Sequence, residues 1–429
     1  MTSATLPRSR EVQLGGPKAL VLSGCVRMRC VYVTFDGLLE PLGYSQVVRL
    51  VTRLAARGLS YRVISLEKAA DLEDARRRAR LRAELEAAGV DWDPLRFDAT
   101  GTKRAAAGNL GRMLRAVARR SRDADLIHAR SYLPAIIAAG LTLGGRPKLL
   151  FDTRGLWFDE RATQAGRVGR ALFAGAKGLE PQLYGRADGV VTLTELSAED
   201  VRGGRLGPHP PHRPVVAIPT AVDFSAFDLA RREEARAELA GRFPGLGPGP
   251  VLGFVGSVNA WYRTDEALEL FAQVHRLRPE ARLVVLSAQH AEIERRLRRL
   301  GVPEAVTLCT RAHHQEMPGW VAALDWGFLL LEPSPAKRAS MPTKLGEFLA
   351  AGVRPIHYGC NEEVGAWVRR TGSGVSLDGL EPHDLVGAAR RVALEGAGPD
   401  ALVAAREAAR AHFSLASAVD RYEALLRSL

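Results

Sequence analysis

One pattern constrains the fold more than any other: short β-branched runs alternate with longer segments whose apolar residues recur at helical spacing, and the alternation occurs twice. The first series has strand candidates at Cys30–Phe35, Tyr61–Leu66, Leu126–Ala129, Lys148–Asp152 and Gly189–Thr194. The second has them at Val251–Val255, Arg282–Leu286, Val306–Cys309, Trp326–Leu331 and Arg354–His357. Such alternation builds parallel sheets with helices on both faces. In the segment after the first strand, Ser45 suits an N-cap, Val47, Leu50, Val51 and Leu54 recur at i, i+3, i+4 and i+7, and Gly58 ends the helix. Between the series, residues 203–214 are too rich in Gly and Pro for regular structure. The reading is an α/β protein with two doubly wound, Rossmann-like domains, 28–212 and 213–412, and an interdomain cleft. Ligands of open parallel sheets bind at the carboxyl ends of the strands, so the chemistry is sought in the loops that follow them.

The 46% hydrophobic content of the 429 residues excludes fibrous and wholly disordered classes. The uncharged run Ser131–Gly145 spans 15 residues with Pro134 and three glycines, short of the ~20 apolar residues of a spanning helix. Four scattered cysteines have no zinc-like spacing and read as reduced thiols, so a cytoplasmic protein is expected. Leu22-Ser23-Gly24-Cys25 imitates a lipoprotein box, but only six apolar residues follow Lys18, fewer than the ~7–15 of a signal core. Residues 1–27 are read as an extension without periodicity, with Met28 as the biological start. Lys and Arg number 60 against 48 acids, a net charge of +12. Such a surplus suits anionic membranes or phosphorylated small molecules. The arginines stand in helical patterns among Glu and Ala without interleaved aromatics, so nucleic acid is not an expected partner.

Three post-strand loops carry candidate chemistry. In Phe35–Gln46, Gly37 and Gly43 allow close backbone approach beside a helix start, with Asp36 adjacent; the spacing is not G-x-G-x-x-G, which disfavours a nicotinamide enzyme. In the second domain, Gly256 and Ser257 follow a strand, and Arg263 stands just before a helix N-terminus. The densest segment is Ser340–Gly352. Pro342 suits a first turn, Thr343 follows it, Leu345, Phe348 and Leu349 form the buried stripe, and Lys344 and Glu347 stand three apart. A cation at a positive helix end suits a diphosphate, and a carboxylate accepts two vicinal hydroxyls; a surface ion pair would have the same spacing. Asp152, Arg154, His128 and Arg130 end strands of the first domain and could hold hydroxyls or phosphate. Asp91-Trp92-Asp93 has a metal-diphosphate spacing but precedes no strand end that faces the cleft, so no metal is expected.

Taken in order, these segments resemble the large retaining glycosyltransferase family four, which has the GT-B fold. Ile218–Phe227 is similar to the family's I-P-N-G-V-D-x-x-x-F, Gly189–Glu195 to its strand ahead of the hinge, and Pro342–Gly352 to its donor-site helix. Asp36–Gly43 and Asp152–Gly155 resemble a bacterial subgroup. The resemblance implies metal-independent, retaining transfer of a hexosyl-type sugar from a nucleotide-diphosphate sugar to a glycan, lipid-linked or small-molecule acceptor. The donor is a substrate and no cofactor is implied. Glu347 would hold the ribose beside Lys344, with Pro342, Thr343 and Leu345 in the same turn. Arg263 and the backbone at Gly256 and Ser257 would face the diphosphate, and Thr310 and Arg311 the base. Gly37 and Gly43 would border the phosphates and acceptor, Asp152 would take the position of a cleft-facing His, and Leu415–Leu429 would be the helix that crosses back to complete the first domain over 413–429. Asp152, Arg263 and Lys344 are the implied catalytic set, and peripheral attachment at an anionic inner membrane face would fit the basic surface. The sequence departs at Ala339, where a carboxylate is usual, at Ser257, where a cation is usual, and at Thr220-Ala221. The departures keep open a non-catalytic nucleotide-binding scaffold; a nucleotide-sugar epimerase on the same architecture is the other alternative.

Overall fold

A computed structural model describes residues 28–429 apart from Asp228, Pro244, 314–315 and 395–398. Its strands are β1 (Arg29–Thr34), β2 (Ser60–Lys68), β3 (Asp91–Phe97), β4 (Leu126–Arg130), β5 (Lys148–Asp152), β6 (Gly189–Thr192), β7 (Val215–Ala217), β8 (Val251–Val255), β9 (Arg282–Leu286), β10 (Thr307–Thr310), β11 (Trp326–Leu331), β12 (Arg354–Gly359) and β13 (Val375–Ser376). They form two parallel sheets, ordered β3-β2-β1-β4-β5-β6-β7 and β10-β9-β8-β11-β12-β13. The winding direction reverses between β1 and β4 and between β8 and β11, so the loops after these strands open onto the two crevices.

Strands β3, β7 and β13 have no counterpart in the sequence reading, and all three are edges. An edge strand is half solvated and kept short or charged, so it lacks the continuous apolar run of an interior parallel strand. Pro94 is tolerated in β3 for the same reason. The Asp91-Trp92-Asp93 tripeptide is part of this strand: Asp93 pairs with Arg120 and Arg119, Asp91 with Arg62, and the Trp92 indole donates to Ser65. Because β7 ends at Ala217, the chain stays in the first sheet beyond residue 213, where the reading began the second domain.

The first helix also starts elsewhere. Helical backbone begins at Pro41, passes through a π-helical stretch at Tyr44–Val48 and continues as Arg49–Ala56. Ser45 therefore lies inside it and donates to the Leu42 carbonyl at 3.3 Å instead of capping. The buried stripe is the one that the periodicity predicts, with Val47, Leu50, Val51 and Leu54 all shielded. Leu54 packs in one cluster with Val419, Tyr422 and Leu426 of the C-terminal helix, Leu415–Ser428; full burial of such a side chain contributes about 1.5–3 kcal/mol. The chain reaches this helix by a crossing in which Val222 N donates to Phe413 O and Leu415 N to Val222 O, both at 2.9 Å.

A short turn, Pro335–Ala339, ties the second domain to the first. Lys337 Nζ donates to Glu160 at 2.9 Å, Arg338 Nε to Asp200 at 2.6 Å, and Thr194 Oγ1 to the Arg338 carbonyl at 3.0 Å.

Candidate active site

On the second-domain side, β11 and the Pro335–Ala339 turn lead into the helix Thr343–Ala350. Its N-cap is Pro342, which has no side chain able to accept from the first-turn N–H groups. Gly346 is essential to its placement, because a Cβ there would meet Val222 Cγ2 at 2.8 Å. Lys344 reaches across to the loop after β8: its ammonium donates to the Tyr262 hydroxyl at 2.9 Å and stands 4.1 Å from the centre of that ring. Gly256, at φ +135°, occupies a conformation that L side chains rarely adopt, and a Cβ would collide with the same ammonium. The sequence reading placed Gly256, Lys344 and Glu347 together. Tyr262, which orients Lys344, escaped it although it immediately precedes Arg263.

Glu347 lies one turn after Lys344, partly buried, and its carboxylate has no hydrogen bond or ion pair among the described residues. Burial pushes its pKa up, opposed by the Lys344 charge. Leu345 is fully buried in the second-domain core, so its side chain belongs to packing. Arg263 differs from its expected role as a free phosphate cation. Its guanidinium is held by Glu266 and, at 2.8 Å, by Glu332 after β11, which raises its pKa further. The Ser257 hydroxyl accepts from Asn259 at 2.8 Å. Thr310 ends β10, two strands from β8, with exposed Arg311 beyond it at the same end of the sheet. Ala339 is fully buried.

On the first-domain side, Asp36 accepts from Arg130 Nε at 2.9 Å, joining the ends of β1 and β4. Asp152, expected at a cleft-facing position, is fully buried, and so is His128. The C-terminal helix covers them: the Tyr422 hydroxyl donates to Asp152 Oδ2 at 3.0 Å, and His128 lies between Tyr32, at a centroid separation of 4.4 Å, and Tyr422, at 5.5 Å. Burial pushes the Asp152 carboxyl up, but Arg154, at 3.6 Å, together with His128 and Arg130 outweighs it and holds the pKa down at about 2. His128 is shifted down by burial despite Asp152 at 3.6 Å, and is neutral at pH 7. Arg154, at φ +55°, turns from Asp152 toward Gln46 Oε1, 3.4 Å away. Gln46 in turn donates to the Ala221 carbonyl on the interdomain crossing at 2.9 Å. Tyr422 and Gln46 were invisible to sequence reasoning, since each joins the group only through contacts distant in sequence.

Residues 45–221 match the family model described as the glycosyl transferase 4-like domain. The structure superimposes on HepE of Anabaena solved with UDP and glucose, with a TM-score of 0.66, 15% identity and coverage of 94% of this chain and 100% of that one. Sucrose-phosphate synthase of Thermosynechococcus elongatus matches at a TM-score of 0.68 and 16% identity, covering 94% and 98%. The trehalose 6-phosphate synthase of Burkholderia multivorans matches at 0.65 and 14%, covering 94% and 99%. The chain has the GT-B fold. No curated protein matches the sequence. Among the described residues, no helix of this GT-B chain is long and apolar enough to cross a membrane, and no cluster of three His, Cys, Asp or Glu side chains could hold a metal ion.

Proposed function

We propose that this chain transfers a sugar from a nucleotide-diphosphate donor to an acceptor hydroxyl, with retention and without a metal, in the synthesis of a glycan, glycolipid or glycosylated metabolite. The observation that carries the reading is the pair on the Thr343–Ala350 helix. A lysine without a carboxylate partner and a carboxylate without a donor stand side by side at an uncapped helix N-terminus, facing a glycine loop. Neither charge of this partly buried pair meets an opposite charge at ion-pair distance among the described residues, so the pair suits a ligand that brings both an anion and hydroxyls. A nucleoside diphosphate does so: its phosphates suit Lys344 and the helix end, and its ribose hydroxyls suit Glu347. The match of residues 45–221 to a glycosyl transferase model and the likeness to HepE, solved with UDP and glucose, support the same reading.

In the reaction the anomeric C–O bond to the β-phosphate breaks, and a new C–O bond forms to the acceptor. The acceptor proton passes to a leaving-group phosphate oxygen. Negative charge grows on the diphosphate, so fixed positive groups at Lys344 and the helix N-terminus stabilise the transition state more than the ground state. Arg263, already paired to two acids, is the lesser contributor. Asp152 acts at a distance by fixing Arg154.

The test is thermal stabilisation and nucleoside-diphosphate release across UDP-, GDP- and dTDP-sugars, with EDTA present, for the native chain and Glu347→Ala. A cognate donor at ~100 Kd should stabilise by ~2.7 kcal/mol. A donor-selective shift that survives EDTA and disappears in the variant is the expected result. Binding without turnover would favour a scaffold, and donor consumption without acceptor an epimerase.

A further inference from the structure

The loop Asp36–Gly43 bends over the end of β1, and what shapes it lies in the neighbouring strand. Glu67, next to last in β2, has no exposed surface. Its Oε1 accepts the backbone N–H of Leu38 at 2.7 Å and its Oε2 that of Leu39 at 3.1 Å. The Ser65 hydroxyl donates to Oε1 at 2.5 Å and itself receives the Trp92 indole N–H at 2.9 Å, so the edge strand β3 completes the chain of bonds. A buried carboxylate without such donors would be strongly unfavourable. With them it becomes a rigid anchor for two consecutive amides.

The glycines of the loop follow from this anchor. A Cβ on Gly37 would stand 2.7 Å from Glu67 Oε2, and one on Gly43 would overlap the Gly37 carbonyl. Neither glycine has a positive φ, so each is required by space, not by backbone angle. Three outer contacts brace the same loop: Arg77 to the Leu39 carbonyl, Lys68 to Glu40 at 3.1 Å, and Arg130 to Asp36 at 2.9 Å.

We propose that Glu67 is a positioning residue for the active site, which holds the Asp36–Gly43 backbone in its ligand-ready shape before substrate arrives. The inference rests on the transferase reading for what the loop faces, and on contacts alone for what holds it. A loop ordered in advance does not have to lose its freedom on binding, so loosening it weakens binding more than it slows the bound complex.

The test is Glu67→Gln in the full chain, read by hydrogen–deuterium exchange and by donor kinetics, with Ser65→Ala as the milder variant and the exposed Glu73→Gln as control. A glutamine presents its NH2 to one of the two amides and can accept only the other. Exchange at 36–43 is expected to rise on the order of tenfold while β1 stays protected, as for loss of one hydrogen bond to a charged group. KM for the nucleotide sugar should rise about tenfold, with kcat changed less than about threefold. Should Glu67→Gln fail to fold, Ser65→Ala is expected to show the same pattern at smaller size. Unchanged exchange at 36–43, or raised exchange with native KM, overturns the proposal. A native chain that turns over no nucleotide sugar ends the transferase reading instead, and the exchange result still decides whether Glu67 holds the loop.

Discussion

Asp152 in the first domain is fully buried and Glu347 in the second only partly, and the protein sets charged and hydrogen-bonding partners around the first alone. Asp152 is met by Tyr422, Arg154 and His128, and its pKa is held at about 2. Glu347 faces a single lysine one turn away, and burial raises its pKa against the pull of that lysine. A compensated buried charge knits a structure together, whereas a partly buried one without a partner suits a place where a ligand completes it. The first-domain cluster thus joins β4, β5 and the C-terminal helix, whereas the second-domain pair is left available for binding.

The sharpest way to break the comparison is to remove each acid. Glu347→Ala is expected to lower kcat/KM on the order of 10^2, the scale of one lost charge-stabilising group, while the free protein melts no lower than the native chain. Asp152→Ala should instead destabilise by about 3–5 kcal/mol, because Arg154 and Arg130 lose the buried anion that balances them; denaturant unfolding checks this, and native stability would overturn the assignment.

The pH dependences should have opposite signs. Asp152 has a depressed folded pKa, so its stabilisation, about 2 kcal/mol, is present above the ordinary value of 3.8 and is lost as pH falls toward 2. Glu347 has a raised folded pKa, so its protonated form favours the fold, and that contribution fades as pH rises from the ordinary carboxylate range upward through its own value. Unfolding of Asp152→Asn and Glu347→Gln against pH should therefore lose the acid-side and the alkaline-side dependence respectively. A smaller effect belongs to Arg263→Ala. With two carboxylates already on its guanidinium, kcat/KM should fall only about tenfold, a 1.4 kcal/mol change; a loss as large as that of Glu347→Ala would show that the donor displaces Glu266 and Glu332.

Much of this architecture could be read from the chain because interior parallel strands are apolar on both faces and stand out in any window. Trp326–Leu331 is such a run, and it forms β11 over those residues. Asp91–Phe97 is not, since an edge strand shares its polarity with loops, and an Asp-Trp-Asp in it resembles a metal motif until Arg119 and Arg120 are seen beside it. The donor-side helix was legible in the same way. Pro342, Lys344 and Glu347 lie within two turns, where the 3.6-residue period alone brings the side chains to one region.

What residue order dictates is therefore local: where strands and helices lie, which face of each is apolar, and that Lys344 and Glu347 share a helix end. Which charges remain available depends on the packed fold. Glu332 reaches Arg263 from 69 residues away and Tyr422 reaches Asp152 from 270, and Glu67 meets Leu38 and Leu39 from the adjacent strand. The reason is physical. Backbone periodicity acts over a few residues, but the ionisation and orientation of a buried side chain depend on every group packed around it, and packing is settled by the whole chain at once.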